Sequence, residues 1–455
     1  MERMNQGDRP VPSADEGVRM PWSASARPVP RLVLRPLQTF LQTEQAGGVL
    51  LLVAAIAALG WANSPWRDSY DTVWHTQLTV RLGAWPLSED LRHWVNDGLM
   101  ALFFLVVGLE IKRELTTGEF RQPRAAALPA IAALGGMVVP ALLYLAINPS
   151  GEAGRGWGIP MATDIAFALG VLAIVGRRLP AALKSYLLAL AIVDDIGAIV
   201  VIAIFYAGSI SWGPLLTAVG LLALVLGLQR VHVRHSVVYV VLGIGVWLAT
   251  FRSGVHATIA GVALGLATPA APFQRPRAVS LEAHRIADQT VDDPVPPDAD
   301  AHHWLYLAGL TREAVSPLAR VEQVLHPWTS YLVVPVFALA NAGVPIGRSS
   351  LRNAAASSVT LGLVIGLLVG KTLGVTVFTW AATRTRLTSL PAGVRWSHLV
   401  GVAILAGIGF TVSLFITSLA FATPATQNAA KVGILAASLV AGLLGALLLA
   451  RSGRR

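Results

Sequence analysis

Asp194 and Asp195 stand side by side within the apolar run LLALAIVDDIGAIVVIAIF, and Asp164 sits in a second, WGIPMATDIAFALG. Lys371 lies well inside a third, GLLVGKTLGV. An ionisable side chain at the centre of a bilayer costs at least ~2.5–3.5 kcal/mol on the insertion scale, so each of these marks a pathway or a site. A carboxylate holds either a proton or a hard cation, and oxygen ligands suit Na⁺ and Li⁺ as they suit other hard ions. A buried lysine takes a carboxylate or backbone carbonyls as its partner. The chemistry open to this set is exchange of protons for a small cation. Adjacent helical residues point about 100° apart, so Asp194 and Asp195 do not form one chelating face. The spacing lets one face a water-filled cavity while the other faces a neighbouring helix.

The surroundings of Asp164 allow two readings. Gly158 and Pro160 weaken the segment, and Thr163 adds a hydroxyl beside the carboxylate. In one reading the helix is broken, and Asp164 faces exposed backbone amides at a positive dipole end. In the other, a proline simply opens a helix whose first turn is polar. A second weakened segment, LAGIGFTVS, places Gly407 and Gly409 beside Thr411.

The elements that must hold these residues are membrane helices. Of 455 residues, 54% are hydrophobic and 13% charged, with a mean hydropathy of +0.61. A soluble domain carries roughly a quarter charged residues. No cysteine is present, which excludes disulfides, thiolate metal sites and cysteine nucleophiles. The net charge of +10 does not indicate nucleic acid, because the arginines occupy short loops between apolar runs. A bilayer needs about 20 apolar residues per helix, and that window predicts about twelve spans. They fall near 46–63, 94–114, 125–147, 158–176, 181–207, 211–229, 235–250, 253–270, 328–345, 356–380, 397–420 and 429–450.

Basic residues mark the cytoplasmic loops. One set of loops carries Lys112, Arg113, Arg121 and Arg124; Arg177, Arg178 and Lys184; Arg230 and Arg234; and Arg275, Arg277 and Arg320. It continues with Arg384, Arg386 and Arg395 and ends with Arg451, Arg454 and Arg455. The alternate loops are poor in them, which predicts an even number of spans with both termini in the cytoplasm. Residues 1–45 read as a disordered basic tail, 46–450 as the membrane unit, and 451–455 as a basic C-terminus. Within the unit, 272–326 reads as a long flexible cytoplasmic loop. The outer stretch 64–93 reads as a β-hairpin around Gly83 or as an irregular loop with interfacial tryptophans.

Several strings carry a resemblance: WVNDGLMALFFLVVGLEIKREL, IPMATDIAFALGVLA, LALAIVDDIGAI, SGVHATIAGV, VLHPW, FALANAGV and GIGFT. Their shared order resembles the NhaA family of sodium/proton antiporters over about residues 46–450. The resemblance implies an all-α membrane fold of about twelve helices with inverted-topology repeats, the fourth and eleventh helices being interrupted. Weakened helices in corresponding positions of two halves point to a transporter's site, a rule for which this family is itself a standing example. By resemblance, Asp195 is the principal Na⁺ ligand, and Asp194 is the proton carrier and partner of Lys371. Asp164 and Lys371 offset the dipole ends of the broken helices, and Thr163 lies near the cation path. Family pH-response positions fall on Glu110, Glu114, His256 and Glu322. Asp97 matches a polar position of less defined role.

Other readings of the outer positions stay open. Glu110, Lys112, Arg113 and Glu114 have the i,i+4 spacing of ordinary helix-end ion pairs, and His256 also reads as a satisfied polar residue. The chain departs from the family at Thr372, Ala319 and Gln323, in the length of 272–326 and in its N-terminal tail. The resemblance further implies electrogenic, pH-regulated sodium export at the bacterial inner membrane. It also implies no cofactor beyond the transported ions, lipid as surroundings and a homodimer. An intramembrane aspartyl protease requires paired aspartates on facing helices in YD and GxGD contexts, which these spans do not supply. A cation channel on the same scaffold is the other alternative.

Overall fold

Proline opens many of the helices. Pro123, Pro276, Pro297, Pro317 and Pro424 each stand at a first helical position, where the missing N–H has no intrahelical partner to lose. The computed structural model describes residues 46–82, 85–176, 179–292, 297–385 and 387–453. The tail 1–45 and the basic residues Arg177, Arg178, Arg386, Arg454 and Arg455 lie outside that range.

The chain begins with α1 (Ala46–Ala62) and α2 (Arg67–Trp74), which meet at 115°. A hairpin of β1 (Gln77–Leu82) and β2 (Trp85–Asp90) follows, antiparallel, with Gln77 opposite Asp90 and Leu82 opposite Trp85. This settles the 64–93 stretch in favour of a hairpin and adds a short helix, α2, that the sequence did not announce. Then come α3 (Leu91–Thr116), α4 (Pro123–Ile147), α5 (Gly151–Met161), α6 (Ile165–Val175), α7 (Ala181–Phe205) and α8 (Trp212–Arg230). After these run α9 (Ser236–Arg252), α10 (Thr258–Ala267), α11 (Pro276–Asp292), α12 (Pro297–Glu313), α13 (Pro317–Trp328) and α14 (Val334–Asn341). The last elements are α15 (Arg348–Ala356), α16 (Ser358–Arg384), α17 (Trp396–Leu405), α18 (Phe410–Ala420) and α19 (Pro424–Ser452).

Among the described residues, α3, α4, α7, α8, α16 and α19 are each long and apolar enough to cross a membrane. The bent pairs α1–α2, α5–α6 and α17–α18 pass the same test as pairs, and α9 and α10 are shorter apolar helices. Helices α8 and α9 turn large apolar side chains outward, among them Leu216 at 66% and Val237 at 72% exposure. Apolar surface on this scale has hydrocarbon as its solvent. The chain is a multi-pass, mostly helical membrane protein.

Two expectations are corrected. Among its described residues, the 272–326 stretch is a helical excursion and not a loop: α11 and α12, leading into α13. Its base is closed: the Phe273 N–H donates to the Glu313 carbonyl at 3.1 Å and the Leu318 N–H to the Pro269 carbonyl at 3.1 Å. Val279 and Ile286, seven residues apart, are buried on one stripe of α11, a helical period that outweighs the polar composition. The ninth span also starts earlier than 328, because α13 runs through a π turn at Thr329–Val333 into α14. Pro327, just before that turn, lacks the donor a regular α-turn needs.

Candidate functional site

Two helices break beside each other. Between α5 and α6 the chain bends by 44° through Ala162–Asp164, and between α17 and α18 by 43° through Ala406–Gly409. The breaks touch, the Asp164 N–H donating to the Ile408 carbonyl at 2.6 Å. Gly407 makes the approach possible. A Cβ there would lie 2.4 Å from the Leu367 carbonyl oxygen, within a π turn at Gly366–Gly370 that leads directly to Lys371. Farther along α16, a Cβ on Gly374 would lie 2.1 Å from the Gly135 carbonyl, so backbone contact with α4 seats the lysine. Gly158 and Pro160 lie in the 3₁₀ turns before the first break rather than in it, whereas Gly407 and Gly409 are in the second.

Each break leaves orphan backbone groups, N–H at one new helix start and C=O at the other new end. Asp164 serves both starts. Its Oδ1 accepts from the Phe167 N–H of α6 at 3.0 Å. Its Oδ2 accepts from the Thr411 N–H of α18 at 3.0 Å and from the Thr411 hydroxyl at 2.7 Å. Each helix start carries about half a positive charge, so one carboxylate sits between two of them. The ends are served by donors. Lys371 Nζ donates to the Met161 carbonyl at the end of α5, and the Thr163 hydroxyl to the Ala406 carbonyl after α17 at 2.9 Å. Positive charge at one pair of ends and negative at the other offset the facing dipoles.

Asp194 joins this crossing from α7. Its Oδ2 is 2.8 Å from Lys371 Nζ and accepts from the Thr163 hydroxyl at 2.8 Å. Lys371 and Asp194 are both wholly buried, and Asp164 is 2% exposed. Asp195 differs from its neighbour. It is 6% exposed and its Oδ1 is buried with no hydrogen-bond partner, as is Oδ1 of Asp194. The charges that act on Asp195 are the like charges of Asp194, Glu110 and Asp164, with Lys371 opposing them. Negative charge thus surrounds a carboxylate that makes no hydrogen bond among the described residues. The chemistry of such a place suits protons or small cations.

A sequence profile of the family described as Na⁺/H⁺ antiporter 1 matches residues 38–449. The chain belongs to that family. It is 48% identical over 439 residues to Na⁺/H⁺ antiporter NhaA 3 of Frankia alni, covering 95% of this chain and 93% of the relative. It is 46% identical over 424 residues to Na⁺/H⁺ antiporter NhaA 2 of Sorangium cellulosum, covering 92% and 90%. It is 46% identical over 414 residues to Na⁺/H⁺ antiporter NhaA of Janthinobacterium sp., covering 90% and 91%.

In this antiporter-family chain the expected pH-response residues fall at two ends of α3. Glu110 lies among Arg113, Glu322 and Glu114. Arg113 donates to Glu322, bridging α3 and α13 rather than pairing along its own helix. His256 belongs to the other end, near Asp97, with its Nε2 2.7 Å from the Tyr206 carbonyl. Sequence reasoning missed the Met161 and Ala406 carbonyls, which carry no side-chain signal. It also missed Ser413, whose hydroxyl donates to the Ile159 carbonyl at 2.8 Å, and Tyr206.

Proposed function

We propose that this chain is a Na⁺(Li⁺)/H⁺ antiporter that exports sodium from the cytoplasm in exchange for external protons. The family is one of transporters, and the chain is not an enzyme. One observation carries the reading: of two adjacent buried aspartates, Asp194 is held by Lys371 and Thr163, while Asp195 has a buried oxygen with no partner. In this reading Asp195 is the Na⁺ ligand, completed by hydroxyl, carbonyl or water oxygens, as hard cations require. Asp194 is the proton carrier, and its pairing with Lys371 is the state that protons and cations compete to open. Asp164 fixes the crossing by offsetting the two helix starts, and Thr163 ties Asp194 to the second broken helix.

The transport cycle follows from competition. A cation entering from the cytoplasm displaces protons at Asp195 and Asp194, the bundle rocks about the crossing, and the cation leaves outside. External protons reload the carboxylates and release Lys371 and Asp194 from their pairing. With more protons than cations per cycle, net positive charge enters and the membrane potential drives export.

The finer architecture belongs to the same proposal. Twelve spans result when α1, α3, α4, α5–α6, α7, α8, α9, α10, α13–α14, α16, α17–α18 and α19 each count once. Helices α5–α6 and α17–α18 are then the interrupted fourth and eleventh, related by inverted repeats. Residues 46–450 form the antiporter unit in the bacterial inner membrane, surrounded by lipid, with both termini cytoplasmic. Glu110, Glu114, Glu322 and His256 set the pH response. The β-hairpin offers its edge outside to a second copy, giving a homodimer, since an uncovered strand edge pairs readily.

Everted membrane vesicles test the function. Added Na⁺ or Li⁺ collapses a respiration-generated ΔpH, and Asp195→Ala abolishes the collapse. Sodium without effect on the wild type, or an Asp195→Ala variant of normal rate, refutes the proposal.

A further inference from the structure

The outer arm of the first interrupted helix, α5, is held by side chains from other helices. The Tyr144 hydroxyl of α4 donates to the Ala153 carbonyl at 2.6 Å. Glu152 accepts from the Thr423 N–H and hydroxyl, both at 2.9 Å, at the start of α19. A third hold is Tyr206, at the end of α7. Its hydroxyl donates to the Arg155 carbonyl at 2.7 Å and accepts from the Gly158 N–H at 3.2 Å. One phenol thus bonds two backbone groups in the 3₁₀ turns of α5. Gly158 leaves room for it, since a Cβ there would lie 2.9 Å from the Tyr206 hydroxyl oxygen.

The backbone of Tyr206 is itself fixed from the other side. A carbonyl only accepts, so the His256 nitrogen 2.7 Å from it carries a proton and donates. The loops carrying the two residues are stitched together: the Gly208 N–H donates to the Gly254 carbonyl at 3.0 Å and the Ser211 N–H to the Ser253 carbonyl at 2.8 Å. At its inner end, α5 finishes at Met161, whose carbonyl accepts from Lys371. A continuous set of bonds therefore runs from His256 through Tyr206 and α5 to the lysine that pairs with Asp194.

We propose that Tyr206 is a positioning residue for the antiport reaction, its hydroxyl latching α5 so that the Met161 carbonyl shares Lys371 with Asp194. The proposal rests on the antiport reading above. With the latch in place, Lys371 is divided between Met161 and Asp194, and an arriving cation displaces it more readily. Without the latch, α5 moves off, Lys371 closes on Asp194 alone, and the cation competes less well. The latch therefore acts on apparent affinity, with maximal rate little changed.

Tyr206→Phe keeps the ring and removes the hydroxyl. In proteoliposomes at fixed pH, the variant is expected to raise the apparent KM for Na⁺ roughly three- to tenfold, the scale of a lost hydrogen bond, with Vmax within about twofold. His256→Ala shifts KM in the same direction, and the double variant shifts it no further than the larger single one. Gly158→Ala strikes the same latch from the α5 side and gives the same KM shift, so the test survives poor accumulation of Tyr206→Phe. Because the chain has no cysteine, Ala153→Cys gives a readout independent of transport. Its alkylation from outside is expected to quicken when Tyr206→Phe is added. A wild type without Na⁺-driven proton flux defeats the antiport reading, while unchanged alkylation defeats the latch. With an active wild type, an unchanged KM in both Tyr206→Phe and Gly158→Ala, or singles whose effects multiply, overturns the proposal.

Discussion

At the scale of residues, the difference between Asp194 and Asp195 decides how the site is read. They are neighbours in sequence with the same side chain, yet one is held in a buried ion pair and the carboxylate of the other makes no hydrogen bond among the described residues. The helical angle between adjacent positions produces this: one points at the crossing and the other beside it. Thr163 adds a constraint from proton counting. Its hydroxyl has one proton but two acceptors in reach, Asp194 at 2.8 Å and the Ala406 carbonyl at 2.9 Å. An ionised Asp194 competes for that proton, whereas a protonated Asp194 donates to Thr163 and releases it to Ala406. The Asp194–Lys371 pair makes a stability prediction at the same scale. Removing one partner of a buried pair leaves an uncompensated charge and costs about 3–5 kcal/mol, while replacing both is often close to neutral. Asp194→Asn is therefore expected to lower the melting temperature in detergent more than Asp194→Asn combined with Lys371→Met. A double variant less stable than Asp194→Asn alone contradicts that ion-pair account.

At the scale of elements, the two broken helices depend on close backbone approach. Gly407→Ala places a methyl carbon 2.4 Å from the Leu367 carbonyl, and overpacking of this kind costs about 1–3 kcal/mol. Gly220→Ala in α8 meets nothing within 4 Å and is expected to be neutral or slightly stabilising. Thermal melts of the two purified variants check this, and equal melting temperatures speak against a tight crossing. The hairpin is joined to α3 by Asp90, which caps that helix by accepting from the His93 N–H at 2.7 Å and contacts the rings of His75 and His93. Partial burial works against the charged form, but these bonds prevail and hold Asp90 below the usual carboxylate range. A depressed folded pKa gives stability that is present above the unfolded value and lost as pH falls through the folded one. Melting temperature is thus expected to drop on acidification below the ordinary aspartate range, and Asp90→Asn, which still caps, to flatten that limb. An Asp90→Asn profile with the wild-type acid limb removes Asp90 as its cause.

Much of this element layer was legible in the sequence, because apolar run length fixes where a helix fits a bilayer and Gly-rich polar interruptions fix where it weakens. The places it was not legible have physical causes. Asp164 between a proline and a helix start reads the same whether the helix is broken or merely begun, and only the partner break at Ala406–Gly409 decides it. The polar composition of 272–326 masked the buried Val279–Ile286 stripe. Backbone carbonyls such as Met161 and Ala406 leave no trace in residue type.

At the scale of the whole molecule, charge and apolar surface divide the labour. Outward-facing side chains of α8 and α9 need lipid, while buried charges gather where the two breaks cross. The expected pH-response residues stand away from that crossing, Glu110 and Glu322 at one end of α3 and His256 at the other. In the proposed cycle, proton availability therefore acts on the site directly, through its carboxylates, and regulation from the ends of α3 would modulate that competition.

That competition is tested most directly by the apparent KM for Na⁺ in proteoliposomes, measured across a pH series. If protons and Na⁺ share the Asp194–Asp195 site, KM falls about tenfold per pH unit for one competing proton, steeper for two, and levels off once the carboxylates are ionised. Vmax changes far less over that range. A KM that stays constant while Vmax alone varies with pH contradicts a shared site.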